Sequence, residues 1–466
     1  MPRVALIPTA RPTFATDQAR VRADSAHELL ASLGADVVGP RELVMTPEDV
    51  EAAAPALDGA DLVVNVCATF SDATPALRLY TGLDRPLLLW AFREPGETGD
   101  RLWLNSLCGA NLFAHAVVRE GGTVRLIHGD PDEPAVRDAL ACALAGELPA
   151  PPVLETVHGE RAAEEPVRAG LERLRGRRIG LVGDAPPGFT PSEYDPELVA
   201  ELFGITMERL TVDAAIDAAQ RVDPGERETE REAATAAQPS LAQVDHQQSG
   251  LAAAVTTSLR DWTADRQLAA AAVRCWPEFP TRLGACPCSA LSRLADEGTP
   301  TACERDVYGA VTMLLMESLG AGTTYLVDTV DVDSDRNVLR LWHCGAAATS
   351  LAADPANATQ SVHCNRKLGV AGNFPLRTGP VVITRLTEDP ARPGRLRLLI
   401  AAGESLPAPN RFQGNTAEVR VDRPADGLVQ SLVTGGFPHH TVLAWSDVRP
   451  ALRTAADLLG IPVTEW

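Results

Sequence analysis

One arrangement of predicted elements occurs twice in this chain: a strand, a loop that contains proline, a phenylalanine and then a helix. The first copy is RVALIPTARPTF (3–14) and the second is RIGLVGDAPPGF (178–189). A short apolar run that stops at glycine or proline is typical of a strand buried in a parallel sheet. Because the arrangement recurs, the sequence predicts two similar α/β domains in tandem.

More apolar runs extend the first copy. DLVVNVCAT (61–69), PLLLWAF (86–92) and VRLIHGD (124–130) are predicted strands, and helical stretches such as 17–33 separate them. Strands that alternate with helices predict βαβ units and therefore a parallel sheet.

The pattern changes after Leu319. Strand signals now recur with few helices between them, in TTYLVDT, VLRLWHC, PVVITRL, LRLLIAAGE, AEVRVD and VLAWSD. Such a series predicts a mostly antiparallel sandwich or barrel. A last helix over 448–459 should end at Gly460 and lead into a final strand, IPVTEW.

The predicted fold class is α/β with three domains, which suits a chain of 466 residues. Rossmann-like α/β domains should occupy residues 1–175 and 176–318, and a β-rich, barrel-like domain should occupy 319–466. Within the second domain, the alanine-rich stretch 213–260 is compatible with helix. Its charge run, DPGERETERE, is expected to be a solvated helix face.

Composition excludes several classes of protein. The net charge is −20 and no basic patch with interleaved aromatics occurs, so nucleic-acid binding is not expected.

No apolar run approaches the roughly 18 residues that a membrane span needs. The N-terminal apolar run is too short for a signal peptide, so we expect a cytoplasmic enzyme. The nine cysteines are expected to be reduced thiols rather than a disulfide framework.

Several common catalytic and binding motifs are absent from this sequence. Neither predicted strand is followed by a P-loop or by GxGxxG, which argues against nucleotide binding. The CPC sequence at 286–288 and the scattered cysteines and histidines fit no paired CxxC spacing, so structural zinc is not favoured. No GxSxG elbow is present.

Carboxylates at the ends of apolar elements point to a metal. Glu278, Glu304 and Asp328 lie in an otherwise apolar segment, and a carboxylate there is costly unless it is paired or binds an ion. The pair His439–His440 precedes another apolar strand. Two carboxylates and one imidazole form a plausible divalent-metal site with positions open for a substrate.

Each of these residues also has a purely structural explanation. Glu304 and Asp306 could be acids that favour the start of a helix, and Asp328 could form a turn. The histidine pair could lie on a surface loop. Arg11 follows the first predicted strand, where α/β sheets bind ligands, and could hold a hydroxyl or an anion, or could be structural.

Several longer motifs resemble one known family. The chain resembles the L-fucose isomerase and L-arabinose isomerase superfamily, nearest its shorter fucose-isomerase-like members, over nearly its whole length. The resemblance lies in IGLVGDAPPGF, CWPEFP, CSALSRLADEG, ACERDVYGAVTMLL, LWHCGAAATSLA and GFPHHTVLAWSDVR. It implies two Rossmann-like domains and a β-rich C-terminal domain, and an enzyme that interconverts aldoses and ketoses with a divalent metal, Mn²⁺ or Mg²⁺.

The resemblance also implies the metal ligands. They are Glu304 in CERD, Asp328 at a strand end, and His440, which the match favours over His439. Successive side chains of a strand point to opposite faces, so if the strand begins at the pair, the two histidines cannot both face one metal. The reaction implied is isomerisation of a free sugar through a cis-enediolate, with Glu304 or Asp328 doubling as the base.

Substrate contacts transfer less directly. Arg11 matches an arginine of the first loop, Glu278 stands where the fucose enzymes carry glutamine, and Asn415 lies in NRFQGN, where those enzymes have a tryptophan-bearing loop. With His439, these are the predicted sugar contacts. The sugar is left open between L-fucose, D-arabinose and a sulfonated or otherwise modified hexose.

The resemblance further implies a homo-oligomer, either trimer, tetramer or hexamer, in which a neighbouring subunit could complete the site. Two other functions stay open from the residues alone. One is a sugar-binding protein without catalysis, which two tandem Rossmann-like domains would also suit. The other is a different metal-dependent carbohydrate enzyme, of the hydrolase or aldolase type.

Overall fold

The computed structural model describes residues 1–152 and 159–466. Its first part is a five-stranded parallel sheet formed by β1 (Arg3–Thr9), β2 (Asp36–Val38), β3 (Leu62–Cys67), β4 (Leu87–Ala91) and β5 (Val124–His128). The strands lie in the order β2-β1-β3-β4-β5. The helices are α1 (Thr16–Ser32), α2 (Pro47–Ala53), α3 (Thr74–Tyr80), α4 (Ser106–Arg119) and α5 (Pro134–Leu144).

A second parallel sheet follows helix α6 (Glu164–Glu172). It contains β6 (Arg178–Val182), β7 (Thr206–Leu210), β8 (Leu268–Val273) and β9 (Thr301–Cys303), in the order β7-β6-β8-β9. The helices are α7 (Pro196–Phe203), α8 (Val212–Arg221), α9 (Pro224–Ala237), α10 (His246–Asp265) and α11 (Cys288–Asp296). The alanine-rich stretch is therefore three helices, and the charge run lies on α9 as predicted.

The remainder is rich in strands. Helix α12 (Val307–Ser318) leads into β10 (Tyr325–Asp333), β11 (Val338–His343), β12 (Gln360–Val362), β13 (Gly369–Gly372), β14 (Phe374–Pro375), β15 (Gly379–Glu388), β16 (Leu396–Leu406) and β17 (Asn415–Val421). The chain ends with α13 (Ala425–Thr434), β18 (His440–Ala444), α14 (Arg449–Leu459) and β19 (Val463–Glu465).

Six of these strands close on themselves. They pair antiparallel in the order β17-β11-β10-β18-β15-β16, and β16 pairs again with β17. The short strands β14 and β19 add in parallel to β17 and β16. The late β-rich character is confirmed, whereas α13 had no predicted counterpart.

Helix α12 packs both on the second parallel sheet and on the β-rich part. Its Val311 lies in one apolar cluster with Ile179 of β6 and Val442 of β18. Because this cluster spans two of the predicted domains, the boundaries at 175/176 and 318/319 stay predictions. The shared helix matters for the site, since the turn before α12 carries Glu304.

Across residues 1–152 and 159–466, none of the helices combines the length and the apolar character needed to span a bilayer.

Ring closure generates a stability prediction. Gly403 of β16 pairs with Val421 of β17 at the closing seam, and a Cβ there would lie 2.3 Å from the carbonyl oxygen of Arg420. Gly403→Val should force the two strands apart, at an overpacking cost of about 1–3 kcal/mol. Thermal unfolding should show a lower melting temperature. Gly250→Ala on α10, where the nearest atoms would be 3.9 Å from the added Cβ, is the control and should not lower the melting temperature. If Gly403→Val melts at the same temperature as this control, the close pairing of β16 with β17 is contradicted.

Candidate metal centre

Three neighbouring elements bring the predicted metal ligands together. Glu304 lies in the turn between β9 and α12, at φ 58°. Asp328 of β10 and His440 of β18 are directly paired across the antiparallel ladder. Directly paired residues have close side chains on the same face of a sheet. A left-handed φ is uncommon outside glycine and recurs at functional sites, where surrounding structure enforces it.

The ligand atoms converge on His440. Its Nε2 lies 3.4 Å from Oε2 of Glu304 and 3.5 Å from Oδ1 of Asp328. Within the described part of the chain, both His440 Nε2 and Asp328 Oδ1 are buried without a hydrogen-bond partner. Buried polar atoms are normally satisfied, so this pair calls for an explanation such as an ion. Two carboxylates and an imidazole fit a divalent cation.

Asp306 fixes the orientation of the His440 ring. Its carboxylate accepts from Nδ1 of His440 at 2.9 Å, from the backbone N–H of Gly309 at 2.8 Å, and from both terminal nitrogens of Arg385. Burial alone would raise the pKa of Asp306, but Arg385 and His440 hold it well below its usual value. An ionised Asp306 keeps the proton on Nδ1, which leaves the Nε2 lone pair free for a metal.

The two carboxylates at the site differ electrostatically. Burial opposes ionisation of Glu304, but His439 and His440 outweigh it and lower its pKa to about 2. The indole N–H of Trp276 also donates to Glu304 at 3.0 Å. Burial dominates at Asp328 and raises its pKa to about 6. Of these two carboxylates, Asp328 is therefore the one whose negative charge is less well compensated by its neighbours.

The site opens onto a cavity. Glu304, Asp328 and His439 line it together with Arg11, as do aromatic rings and thiols. The aromatic lining residues are Phe14, Phe70, Trp276 and Trp342, and the thiols belong to Cys275, Cys286, Cys288 and Cys344. A polar end with two carboxylates and apolar walls is a common form of small-molecule site.

Strand alternation does not separate the two histidines, because its condition is not met. Nε2 of His439 lies 3.6 Å from Oε2 of Glu304, close to the 3.4 Å of His440, and the two ring centroids are 4.1 Å apart. Alternation fails because β18 begins at His440, so His439 is outside the regular strand. Both rings face Glu304, but only His439 lines the cavity.

Two predicted sugar contacts lie elsewhere. Glu278 is paired with Arg274, with Nε to Oε2 at 3.0 Å. Asn415 is fully buried in β17, where Oδ1 accepts from the hydroxyl of Tyr325 and the N–H of Ala347. Neither residue is among those lining the cavity. Their roles in sugar binding stay predictions, without support from these contacts.

Sequence reasoning gave several residues of this region another role, and it considered the cysteines and histidines near Cys344 only as structural zinc ligands, which it did not favour. Asp306 was seen only as an acid near a helix start, a role it does fill as N-cap of α12. His343 lies near Asp328 and His440 in a further group that could hold a metal. Cys344 forms two similar groups, one with Cys288 and His363 and the other with Cys303 and His343. Because their members come from distant segments, no local spacing could reveal them.

The chain is similar to known proteins over nearly its whole length. Residues 341–466 match the family described as L-fucose isomerase, C-terminal domain. The chain is 34% identical over 465 residues to a sulfoquinovose isomerase from Alkalicoccus urumqiensis, which covers 99% of both chains. Sulfoquinovose isomerases from Priestia megaterium and Clostridium sp. (strain MSTE9) are 30% and 31% identical over 98% of each chain.

The chain belongs to the fucose isomerase-like family. The resemblance inferred from the motifs is therefore confirmed. As a family member of this kind, the protein is an isomerase, an intramolecular oxidoreductase of the aldose–ketose type. Its described residues include groups that could hold a divalent cation, as the family would suggest.

Asp328 should make the metal-free protein pH-sensitive. Its pKa is raised from 3.8 to about 6, so its ionisation opposes folding. The penalty is absent below about pH 4 and complete above about pH 6. In the presence of a chelator, Asp328→Asn should raise the melting temperature above pH 6 and have no effect near pH 4. The exposed control Asp261→Asn should leave the melting temperature unchanged at both pH values. If Asp328→Asn raises the melting temperature equally at pH 4 and above pH 6, the raised pKa of Asp328 is contradicted.

The two histidines should differ in metal affinity. His440→Ala removes Nε2, the atom close to both carboxylates. Loss of a residue that only hydrogen-bonds to a metal ligand typically lowers metal affinity roughly 10- to 100-fold, so loss of His440 itself should lower affinity for Mn²⁺ by more. His439→Ala should lower it less than tenfold. Calorimetric titration of metal into each variant measures both values. If His439→Ala loses the metal while His440→Ala keeps it, the ligand is the other histidine.

Proposed function

We propose that the protein is a metal-dependent isomerase of a free, sulfonated hexose of the sulfoquinovose class, converting the aldose to the ketose through a cis-enediolate. The observation that carries the metal dependence is the buried, unpartnered pair of Asp328 Oδ1 and His440 Nε2 beside Glu304. The sugar is taken from the relatives, all of which are named sulfoquinovose isomerase.

Glu304, Asp328 and His440 would hold the cation. Oxygen donors and one imidazole suit Mn²⁺ or Mg²⁺ better than a softer metal. When bound, the cation supplies positive charge that stabilises the developing oxyanions of the sugar. Trp276 donates to one oxygen of Glu304 and holds that carboxylate toward the site.

Side chains of the protein transfer the proton that moves between the sugar carbons. Moving the carbonyl from C1 to C2 takes the proton from C2 and places one on C1, and the hydroxyl proton of O2 is replaced by one on O1, with the enediolate between. Glu304 and Asp328 both line the cavity, so either carboxylate can face the sugar carbons, and one of them acts as the base. The aromatic side chains that line the same cavity limit access of water to the intermediate.

The alternatives are less well supported. A sugar-binding protein without catalysis has no need for a buried carboxylate oxygen and a buried imidazole nitrogen without partners beside its cavity, since such atoms cost stability. A hydrolase or aldolase would use similar ligands, but the relatives carry the name isomerase. Assembly as a homo-oligomer and a cytoplasmic location also belong to this proposal.

Activity should depend on both carboxylates and on metal. With sulfoquinovose as substrate and NMR as the readout, chelation should abolish formation of the ketose, and Mn²⁺ should restore it. Glu304→Gln and Asp328→Asn should each lower kcat by about 10³-fold or more, since each removes a ligand charge and a possible base. The surface variant Glu404→Gln is the control and should be fully active.

Full activity in a metal-free preparation would contradict the proposal. So would near-normal turnover by either carboxylate variant with unchanged metal content.

A further inference from the structure

Two arginines meet on one aromatic ring in the cavity. The guanidinium carbon of Arg11 lies 4.5 Å from the ring centroid of Trp276, and that of Arg366 lies 5.5 Å from it. Both side chains line the same cavity as Glu304 and Asp328. The cavity therefore has two carboxylates and, against the indole, two positive charges.

Neither guanidinium has an acidic partner. Among residues 1–152 and 159–466, neither arginine has a carboxylate within 4.0 Å or donates a side-chain hydrogen bond. The chain has 62 acidic and 42 basic residues, so carboxylates are not scarce. By contrast, Arg385 and Arg274 are each paired with an acid. The missing partner at Arg11 and Arg366 is best supplied by a ligand.

The electrostatics support an anion at this position. Burial lowers the pKa of Arg11, and the charge of Arg366 adds to that shift, while the charges of Asp72 and Glu304 oppose it. Two half-buried cations that repel each other are unfavourable without an anion between or beside them. Stacking on an indole stabilises a guanidinium but leaves its N–H groups free to donate in the ring plane.

Local structure holds both arginines in place. Arg11 follows β1, and its backbone N–H donates to Oγ1 of Thr69 at 2.8 Å. Arg366 follows β12, in a turn where Nδ1 of His363 accepts from the backbone N–H groups of Asn365 and Arg366. A fixed backbone reduces the ordering cost when an anion binds.

Trp276 connects the two ends of the cavity. Its indole N–H donates to Glu304, while its ring contacts both guanidinium groups. A sugar whose carbonyl end lies at Glu304 and Asp328 can therefore direct a distant substituent toward the arginines. The indole fixes the spacing between the reacting end and the cationic end.

We infer that Arg11 and Arg366 bind the sulfonate group of the sugar and so determine substrate specificity. This inference rests on the proposed function, which supplies the sulfonated substrate. A sulfonate is an anion with three acceptor oxygens, and charge-assisted hydrogen bonds from guanidinium groups suit it. The arginines would act on binding and specificity, while the carboxylates act on the reacting carbons.

Kinetics on a matched pair of sugars test the inference. Quinovose is sulfoquinovose without the sulfonate, so it reports everything except recognition of that group. Arg366→Gln and Arg11→Gln should each lower kcat/KM for sulfoquinovose by about 10- to 100-fold, the range expected for a hydrogen bond to a charged group. Quinovose, assayed as substrate or as competitive inhibitor, should be affected less than about twofold.

Controls separate a specific effect from general damage. Arg168→Gln, on the exposed α6, should leave both sugars unaffected. Metal content of the cavity variants should match the wild type, and Arg366→Lys should recover part of the loss because it restores the charge. Equal losses on both sugars, or no loss on either, would overturn the inference. Turnover of glucose 6-phosphate as fast as sulfoquinovose would also overturn it, since the site would then bind phosphate.

The wild-type protein distinguishes failure of this inference from failure of the proposed function. If the wild type isomerises no sulfonated sugar, the proposed substrate is wrong. If it isomerises sulfoquinovose and the arginine variants do so equally well, the reaction stands and only the sulfonate assignment fails.

Discussion

The carboxylate of Asp306 joins the three elements on which the candidate metal centre depends. It caps the first turn of α12, pairs with Arg385 of β15, and orients His440 of β18. Both Asp306 and Arg385 are fully buried, so loss of either partner would leave an uncompensated charge. The position of Glu304, two residues before this cap, follows from the same constraint.

Groups left without partners mark both ends of the cavity. Asp328 and His440 have buried atoms that nothing in the described chain satisfies, and Arg11 and Arg366, which line the same cavity, have no carboxylate of the described chain within 4.0 Å. Each such group destabilises the free protein, and each is explained by one ligand: a divalent cation at one end and an anionic substituent at the other. The chemistry assigned to the site thus rests on what the fold leaves unsatisfied.

Part of this arrangement could be predicted from the sequence. Apolar runs such as 61–69 and 86–92 became the buried strands β3 and β4, because a strand covered on both faces needs apolar residues throughout. A barrel was one of the two predicted forms of the C-terminal part, but the strands that close it, β16 and β17, could not be predicted, since pairing between strands leaves no local signal. Glu304 and Asp328 were found through motifs, whereas Arg366 was missed because its partner Trp276 lies 90 residues away. Strand alternation could not be applied to the histidine pair, because β18 begins at His440 and leaves His439 outside it.

The central claim is that one divalent cation binds between Glu304, Asp328 and His440. Crystals grown with Mn²⁺ and measured at a wavelength where manganese scatters anomalously test it directly. The account predicts one strong peak within about 2.0–2.3 Å of His440 Nε2 and of an oxygen from each carboxylate, typical distances for such ligands. A peak at the thiols around Cys344 instead, or none in a fully active enzyme, would contradict it.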